Sequence, residues 1–261
     1  MHETGHSFYK YSMLSKSQIS FIKSLHQKKY RKENGIFIIE GIKSIAEFIQ
    51  SSYQIHSIYY LAQYQPLLPA LPANIKLFEV NNAELDKIST LQTPQGILAL
   101  VNIPKNPVLD VKQLQNTFSL VLDDIQDPGN LGTIIRTADW FGINQIICSN
   151  HTVEVYNPKT VQATMGSLSR VNIFYQDLVP LLSETKVPVF GAVFNGKSMY
   201  ELDWGKEGLV ILGNEGQGIS PEIIELITDP VTIPRIGGAE SLNVAVCAAI
   251  LCADISRNFQ K

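Results

Sequence analysis

The sequence contains no hydrophobic run long enough to cross a membrane. A membrane-spanning helix needs about 18 or more consecutive apolar residues, and no stretch of the 261 residues reaches that length. The first residues, MHETGHSFYK, also lack the apolar segment of a secretory signal peptide. We therefore expect a cytoplasmic protein without a membrane partner.

Cysteine is scarce, and its spacing does not suit metal binding. Cys148, Cys247 and Cys252 lie in apolar contexts without C-x-x-C spacing. The 5 histidines are scattered, and the histidines and cysteines together do not form a ligand set with the spacing of a zinc site. We expect three reduced cysteines that pack as small apolar residues, and no metal site.

Two common phosphate-binding motifs are missing as well. The sequence has no G-x-x-x-x-G-K-[ST]. Its glycines Gly213, Gly216 and Gly218 give the order G-x-x-G-x-G late in the chain, whereas a dinucleotide fold has G-x-G-x-x-G in its first βαβ unit. These absences exclude a P-loop protein and argue against a nucleotide-dependent oxidoreductase. Taken alone, this glycine cluster is equally compatible with a simple tight turn.

Three segments rich in Gly and Asn each follow a short apolar run. The runs at 120–123, 209–213 and 231–233 are bounded by turn residues and too short for helices, so they predict buried strands. In an α/β sheet, ligands bind at the edge formed by the carboxyl ends of the strands. The segments are DPGNLGTIIRTADWFG at 127–142, VILGNEGQGIS at 210–220 and IPRIGGAESLNVAV at 233–246.

Together these segments resemble the SpoU (TrmH) family of the SPOUT superfamily, which are RNA ribose 2′-O-methyltransferases that use S-adenosylmethionine. The residues that match its three motifs are Asn130, Gly132, Arg136, Ala138, Phe141 and Gly142; Gly213, Glu215, Gly216 and Gly218; and Ile233, Pro234, Glu240, Ser241, Leu242, Asn243, Val244 and Ala248. Upstream, KKYRKENGIFIIEG at 28–41 and TPQGILALV at 93–101 resemble the two ends of the family's accessory domain. The departures are mild: Arg235 stands where the family often has Met, and Thr133 where it often has Ala.

The resemblance implies an α/β fold with two domains. The C-terminal one is a SPOUT α/β sheet domain with a trefoil knot, and it is preceded by a small α/β RNA-binding domain like that of some ribosomal proteins. Pro104 and Pro107 predict a stiff linker between them. We expect a basic N-terminal helix at 1–33, an accessory RNA substrate-binding domain at 34–104, a linker at 105–116 and the methyltransferase domain at 117–261.

The apolar pattern predicts a mostly parallel sheet with helices on both faces in the second domain. The predicted strands lie at 36–39, 57–61 and 97–101, and then at 119–125, 145–148, 187–193, 209–212 and 231–233. The predicted helices lie at 42–51 and 82–91, and then at 131–141, 158–168 and 242–255.

Charge is distributed unevenly along the chain. Residues 10–32 carry seven Lys and Arg and no acid, which gives +7, whereas the rest of the chain carries −10 and the whole −3. Ile19, Ile22 and Leu25 follow helical spacing after a cap at Ser15 or Ser17, which predicts an amphipathic helix. A merely solvated charged face is the alternative, but the absence of acids favours contact with RNA phosphates. The candidate RNA-binding residues are Lys23, Lys28, Lys29, Arg31 and Lys32.

Four polar residues are the candidate catalytic residues by resemblance: Asn130, Arg136, Glu215 and Asn243. In the family the arginine at this position is essential and is assigned as the base that takes the 2′ proton. Arginine keeps its proton in nearly any protein site, so a guanidinium that grips the adjacent phosphate and orients the hydroxyl explains the same requirement.

Each of these residues also has a structural alternative. Arg136 could form an ion pair with Asp139 or Asp123, Glu215 could be an exposed turn carboxylate, and Asn243 could be a helix cap.

The cofactor implied by the resemblance is S-adenosylmethionine. Family analogy assigns adenine contacts to Ile233 and Leu242, and the unpaired amides of the last helix's first turn suit a carboxylate. The candidate cofactor-binding residues are Leu212, Gly213, Gly216, Gly218, Ile233, Ser241 and Leu242.

The last predicted helix is apolar on every face, which indicates burial on all sides. One protomer is not expected to cover it, and the resemblance implies a homodimer through the catalytic domain. The predicted function is S-adenosylmethionine-dependent methylation of a ribose 2′-hydroxyl in structured RNA, with rRNA favoured over tRNA. The alternative is a non-catalytic RNA-binding or ribosome-assembly factor with the same fold, against which the four intact polar residues argue.

Overall fold

The structure is a computed structural model that describes residues 13–72, 74–105 and 109–259. Lys10 of the basic segment and Pro107 of the predicted linker lie outside these residues. No helix in the described part of the chain is both long and apolar enough to span a membrane.

The chain divides into two compact units. Unit 1 comprises Met1–Pro104 and Tyr156–Ser169, and unit 2 comprises Lys105–Val155 and Arg170–Lys261. The chain first passes from unit 1 to unit 2 after Pro104, which is where the accessory domain was predicted to end. The segment Tyr156–Ser169 was expected in the methyltransferase domain, because an apolar pattern predicts a helix but not what that helix packs against.

In the order of the chain, unit 1 begins with eight helices and strands. They are α1 (Lys16–Ser24), α2 (Lys28–Asn34), β1 (Ile36–Glu40), α3 (Ile42–Ile49), β2 (Ile55–Tyr60), β3 (Lys76–Glu79), α4 (Asn82–Ile88) and β4 (Ile97–Asn102). The four strands form one sheet in the order β1-β4-β2-β3, in which only the β2–β3 pairing is parallel. The predicted strands and helices are all present. β3 was missed because its sequence KLFE is short and half polar.

The predicted N-terminal helix is in fact two helices. Ser15 caps α1 in a capping box with Gln18, as the cap prediction allowed. The chain then breaks before α2, and Arg31 of α2 closes the break, because its Nη1 donates to the carbonyl oxygens of Leu25 and His26, at 2.9 Å each. Arg31 is only 2% exposed. It therefore belongs to the packing of unit 1 and is not on the surface predicted to meet RNA.

The rest of the chain contributes the following elements. They are β5 (Phe118–Leu122), α5 (Pro128–Trp140), β6 (Gln145–Cys148), α6 (Pro158–Thr164), β7 (Asn172–Tyr175), α7 (Leu178–Glu184), β8 (Val189–Ser198), β9 (Gly208–Leu212), α8 (Pro221–Ile224), β10 (Asp229–Thr232) and α9 (Val244–Phe259). Of these, α6 belongs to unit 1, where it contacts β1.

Unit 2 is built on a six-stranded sheet in the order β10-β8-β9-β5-β6-β7. Every described pairing is parallel, as predicted. The loops after β5, β9 and β10 consequently meet at one edge. Leu114, within the predicted linker, is 1% exposed and packs into the core of this unit, whereas its neighbours in 111–116 are exposed.

The terminal helix α9 is not covered on all sides within one chain. Ala248, Leu251 and Ile255 are buried, and α9 contacts both α5 and β9. Val246, by contrast, is 46% exposed, and Ala253 is exposed as well. The all-round apolar sequence thus leaves one stripe open in the protomer.

Candidate functional site

The loop after β5 is held by a cap at the start of α5. Asp127 Oδ1 accepts a hydrogen bond from the Asn130 backbone N at 2.8 Å, and Pro128 occupies the first helical turn. The helix therefore begins three residues before the predicted start, and Asn130 lies inside its first turn. Because Asp127 supplies the cap, the side-chain amide of Asn130 is not used for capping and can bond to residues outside the helix.

A chain of side-chain hydrogen bonds joins the three loops. Asn130 Nδ2 donates to Glu215 Oε1 at 2.9 Å, and Asn243 Nδ2 donates to Asn130 Oδ1 at 2.9 Å. Glu215 also accepts from the backbone N of Gln126 and of Asp127 at 3.4 Å each. Three of the four candidate catalytic residues are thus brought together, and they link the loop after β5 to both of the others.

Asn243 also caps α9. Its Oδ1 accepts from Ala245 N at 2.9 Å and from Val246 N at 3.3 Å. The capping alternative is therefore realised together with the bond to Asn130. Two of the first-turn amides that were expected to be open to a carboxylate already bond to this side chain.

The glycine loop after β9 is a closed turn. The backbone N and O of Asn214 and Gly218 bond reciprocally at 2.9 Å, and Asn214 Nδ2 donates to the Asp124 carbonyl at 2.8 Å. A Cβ at Gly213 would lie 2.2 Å from the carbonyl carbon of Gly218, so this position requires glycine. Gly218 itself adopts φ +74. The tight-turn alternative therefore describes the geometry correctly. The turn is also hydrogen-bonded to the loop after β5, through Asn214.

Arg136 lies about 9 Å along α5 from Asn130, given the rise per residue of an α-helix. It is exposed, and it forms no hydrogen bond or ion pair with any residue that the structure describes. The proposed ion-pair partners are engaged elsewhere: Asp139 accepts from Arg170 Nη2 at 2.8 Å, and Asp123 accepts from the Ser220 N at 2.7 Å. Arg136 therefore presents an unpaired guanidinium on the same helix as Asn130, but it is not part of the hydrogen-bonded network.

The predicted cofactor residues differ in what they can offer. Leu212 is buried in β9 and its carbonyl accepts from Asp123 N at 2.9 Å, so it forms part of the sheet under the site. Ile233 is half-buried, whereas Ser241 and Leu242 are exposed in the loop before α9. Gly216 is exposed, with its N donating to Asn214 Oδ1 at 2.8 Å.

The cysteines behave as apolar core residues. Burial raises the pKa of the Cys148 thiol strongly and raises that of Cys252 to about 12. The half-buried Cys247 also has a raised pKa through burial. These thiols are protonated at neutral pH, in agreement with the expectation of reduced, unreactive cysteines.

Comparison with known protein families decides the identity. Residues 117–253 match the model described as the SpoU rRNA Methylase family. The chain belongs to this family. Residues 16–99 match a second model, the MRM3-like substrate binding domain. The SpoU segment contains all three loops of the site, and the second segment lies within the first stretch of unit 1.

Individual relatives of this SpoU protein extend over nearly its whole length. The 23S rRNA (guanosine(2553)-2′-O)-methyltransferase RlmP of Bacillus subtilis is 32% identical and covers 88% of this chain and 92% of its own. A solved TrmH-family structure from Porphyromonas gingivalis is 38% identical, with a TM-score of 0.86, over 95% of this chain and 100% of that one. An AdoMet-bound rRNA methyltransferase from Sinorhizobium meliloti is 27% identical, with a TM-score of 0.81, over 95% and 98%.

Sequence reasoning missed two residues that build the site of this SpoU protein. Asp127 was not named as a cap, although Asp followed by Pro is a typical start of a helix. Asn214 was passed over inside the glycine motif. Its role depends on the carbonyl of Asp124, a residue 90 positions away, and no local pattern reveals such a contact.

Proposed function

We propose that this SpoU protein transfers the methyl group of S-adenosylmethionine to a ribose 2′-hydroxyl in ribosomal RNA. The observation that carries the proposal is an exposed, unpaired Arg136 on α5, the helix whose first turn brings Asn130 into the bonded set with Glu215 and Asn243. The relatives named above support the reaction and favour rRNA over tRNA. The order of the loops on a parallel sheet supports a ligand site at this edge.

The loops after β9 and β10 fit such a cofactor. A Cβ at Gly216 would come no closer than 3.6 Å to another residue, and one at Gly237 or Gly238 would meet nothing within 4 Å, so a ligand can approach this main chain closely. Gly213, Gly216 and Gly218 would hold it on one side, with Ile233, Ser241 and Leu242 on the other. When bound, S-adenosylmethionine supplies an activated methyl group on a positively charged sulfur.

Arg136 acts by position and charge in this proposal. Its guanidinium stays protonated, so it grips the phosphate next to the target ribose and directs the 2′-hydroxyl toward the methyl group. Proton loss from the hydroxyl is favoured by the nearby positive charge. Asn130, Glu215 and Asn243 keep α5 and the two cofactor loops in register, so that the hydroxyl is aligned with the methyl group.

Unit 1 supplies the general affinity for RNA. Lys23, Lys28, Lys29 and Lys32 are exposed on α1 and α2. Among the residues that the structure describes, only Lys29 of these four forms an ion pair, with Glu33 at 3.9 Å and with both side chains exposed. Arg31 contributes by fixing the turn between the two helices. Because unpaired lysines release counterions from RNA on binding, the affinity should fall steeply with salt.

We infer that the protein is a homodimer through its catalytic unit and acts in the cytoplasm. A groove of about 420 Å³ runs between α5 and α9, and its lining is mostly apolar. The residues that line it are Asn130, Thr133, Thr137, Asn243, Ala245, Val246, Ala249, Ile250 and Ala253. A second copy would cover this surface, and because Asn130 and Asn243 are part of it, dimer formation would stabilise the site.

We also infer that the C-terminal part of unit 2 is a trefoil knot. The match of residues 117–253 to the SpoU family supports this, because the resemblance of the sequence to that family implies the knot. Such threading is rare and has no signal in the sequence pattern.

Mapping of 2′-O-methyl groups in rRNA from cells with and without the gene tests the proposed reaction. We expect one methylated ribose to disappear and to be restored by the purified protein and S-adenosylmethionine. Loss of a methylated ribose in tRNA instead of rRNA would support the proposed reaction, with tRNA as the substrate. Identical maps for all RNA, with no transfer by the purified protein, would support the non-catalytic binding alternative.

A further inference from the structure

Arg235 is the residue where this chain departs from the family in the loop before α9. It is exposed, and its Nη1 donates to the Ala239 carbonyl at 3.2 Å, across the turn that contains Gly237 and Gly238. Arg235 makes no other hydrogen bond and no ion pair with the residues that the structure describes. One nitrogen of the guanidinium is therefore fixed to its own loop, and the others face solvent.

The loop of Arg235 belongs to the candidate site. It leaves the carboxyl end of β10, at the edge where β5 and β9 also end, and runs to Asn243, which bonds to Asn130 at 2.9 Å. The exposed Lys197 of β8 pairs in register with Val231, which lies one residue before the end of β10. Arg235 and Lys197 are therefore two cations near the carboxyl ends of the neighbouring strands β10 and β8.

The charge of unit 2 makes these cations important. Unit 2 contains ten Lys and Arg against seventeen Asp and Glu, a net charge of −7, whereas unit 1 contains eleven against seven, a net charge of +4. A unit with this negative charge repels the RNA backbone. Local cations near the site are therefore needed to hold a phosphate there.

We propose that Arg235 binds a backbone phosphate of the RNA strand that carries the target ribose. This inference rests on the proposed RNA substrate. The planar guanidinium, braced by its bond to Ala239, presents the remaining N–H groups to a phosphate oxygen. A methionine at this position would keep a side chain of similar length without the charge.

The decisive variant is Arg235→Met, which installs that family residue and leaves the glycines of the loop intact. Lys186→Met is the matched control, because Lys186 is exposed, precedes β8 at the opposite edge of the sheet and changes the charge by the same amount. Arg235→Lys keeps the charge but not the fork. The probe is in vitro transcribed 23S rRNA, with binding measured from 50 to 300 mM KCl and methyl transfer measured in parallel.

For Arg235→Met we expect RNA affinity at low salt to fall about tenfold or more, the scale of a lost hydrogen bond to a charged group. The slope of log affinity against log salt should become shallower by about 0.7, the value for one phosphate contact in single-stranded RNA. KM for RNA should rise while kcat and the Kd for S-adenosylmethionine stay within about twofold. Arg235→Lys should retain the slope, and Lys186→Met should match the parent.

Two results would overturn the inference. A weaker Kd for S-adenosylmethionine with an unchanged salt slope would make Arg235 a residue of the cofactor loop only. An unchanged RNA affinity in Arg235→Met would make it a solvated surface charge. Failure of the parent protein to methylate any RNA would instead count against the proposed function, since the salt slopes are measured by binding and do not depend on turnover.

Discussion

At the residue scale, the site depends on a few polar side chains that hold one another. Glu215 accepts from Asn130, and Asn130 accepts from Asn243, so each amide is used both as donor and as acceptor. The expectation that the three loops meet at one edge of the sheet came from the short apolar runs that precede them, and the hydrogen bonds among Asn130, Glu215 and Asn243 agree with it. The bonds among them were not predictable, because each joins positions at least 85 residues apart.

Substitution of Glu215 separates a loop-ordering role from a role that needs its charge. Glu215→Gln keeps an oxygen that accepts from Asn130 Nδ2, whereas Glu215→Ala removes it. We expect methyl transfer to fall by less than about fivefold in Glu215→Gln and by about tenfold or more in Glu215→Ala, the scale of a lost hydrogen bond to a charged group. Single-turnover rates and the Kd for S-adenosylmethionine measure both effects. Equal losses in the two variants would show that the negative charge is required.

At the element scale, the sequence predicted strands better than helix ends and partners. Short apolar runs identified β5, β6 and β9, since a strand buried on both faces has a strong local signal. The run at 231–233 also identified β10, although only Val231 of this edge strand is buried. The polar edge strand β3 and the turn that splits α1 from α2 lacked such a signal. The break depends on Arg31, whose long charged side chain is typical of a surface position yet is buried here by its bonds to two carbonyls.

The helix α9 is fixed to unit 2 by a buried carboxylate. Asp254 accepts from Trp204 Nε1 at 2.9 Å and pairs with Arg257 Nη2 at 2.7 Å. Asp254→Ala leaves the buried indole N–H without its acceptor, so we expect the free energy of unfolding to fall by about 2–3 kcal/mol. Urea denaturation measures the change, with Glu222→Ala at the exposed start of α8 as the control. A loss no larger than that of the control would show that packing alone holds α9.

At the scale of the whole molecule, each of the two units is built from two separate stretches of the sequence. The chain leaves unit 2 after Val155 and returns at Arg170, so α6 depends on unit 1 for its packing. Removal of the first hundred residues would expose the buried face of α6, which consists of Thr160, Val161 and Thr164. The contribution of unit 1 to RNA binding is therefore better measured by charge substitutions on α1 and α2 than by truncation.

The proposed dimer is tested by a charge placed on the open stripe of α9. Val246→Glu puts a carboxylate in the first turn of the helix, where it is favourable for the isolated protomer but costly in an apolar interface. Ile224→Glu on α8 is the control, because Ile224 and Val246 are similarly exposed, at 48% and 46%. We expect sedimentation to show a dimer for the parent and the control and a monomer for Val246→Glu. A Val246→Glu dimer would assign the interface to another surface.

The proposed methyl transfer depends on Arg136. Its most direct test is the rate of methyl transfer by Arg136→Ala on the RNA that the parent protein modifies. We expect the Kd for S-adenosylmethionine to be nearly unchanged and the rate to fall by about a hundredfold or more, the scale of a lost positioning group. Arg136→Lys should restore little at any pH, because lysine lacks the planar fork. Near-normal turnover by Arg136→Ala would contradict the proposed role of Arg136 in methyl transfer and favour a non-catalytic role of the protein in RNA binding.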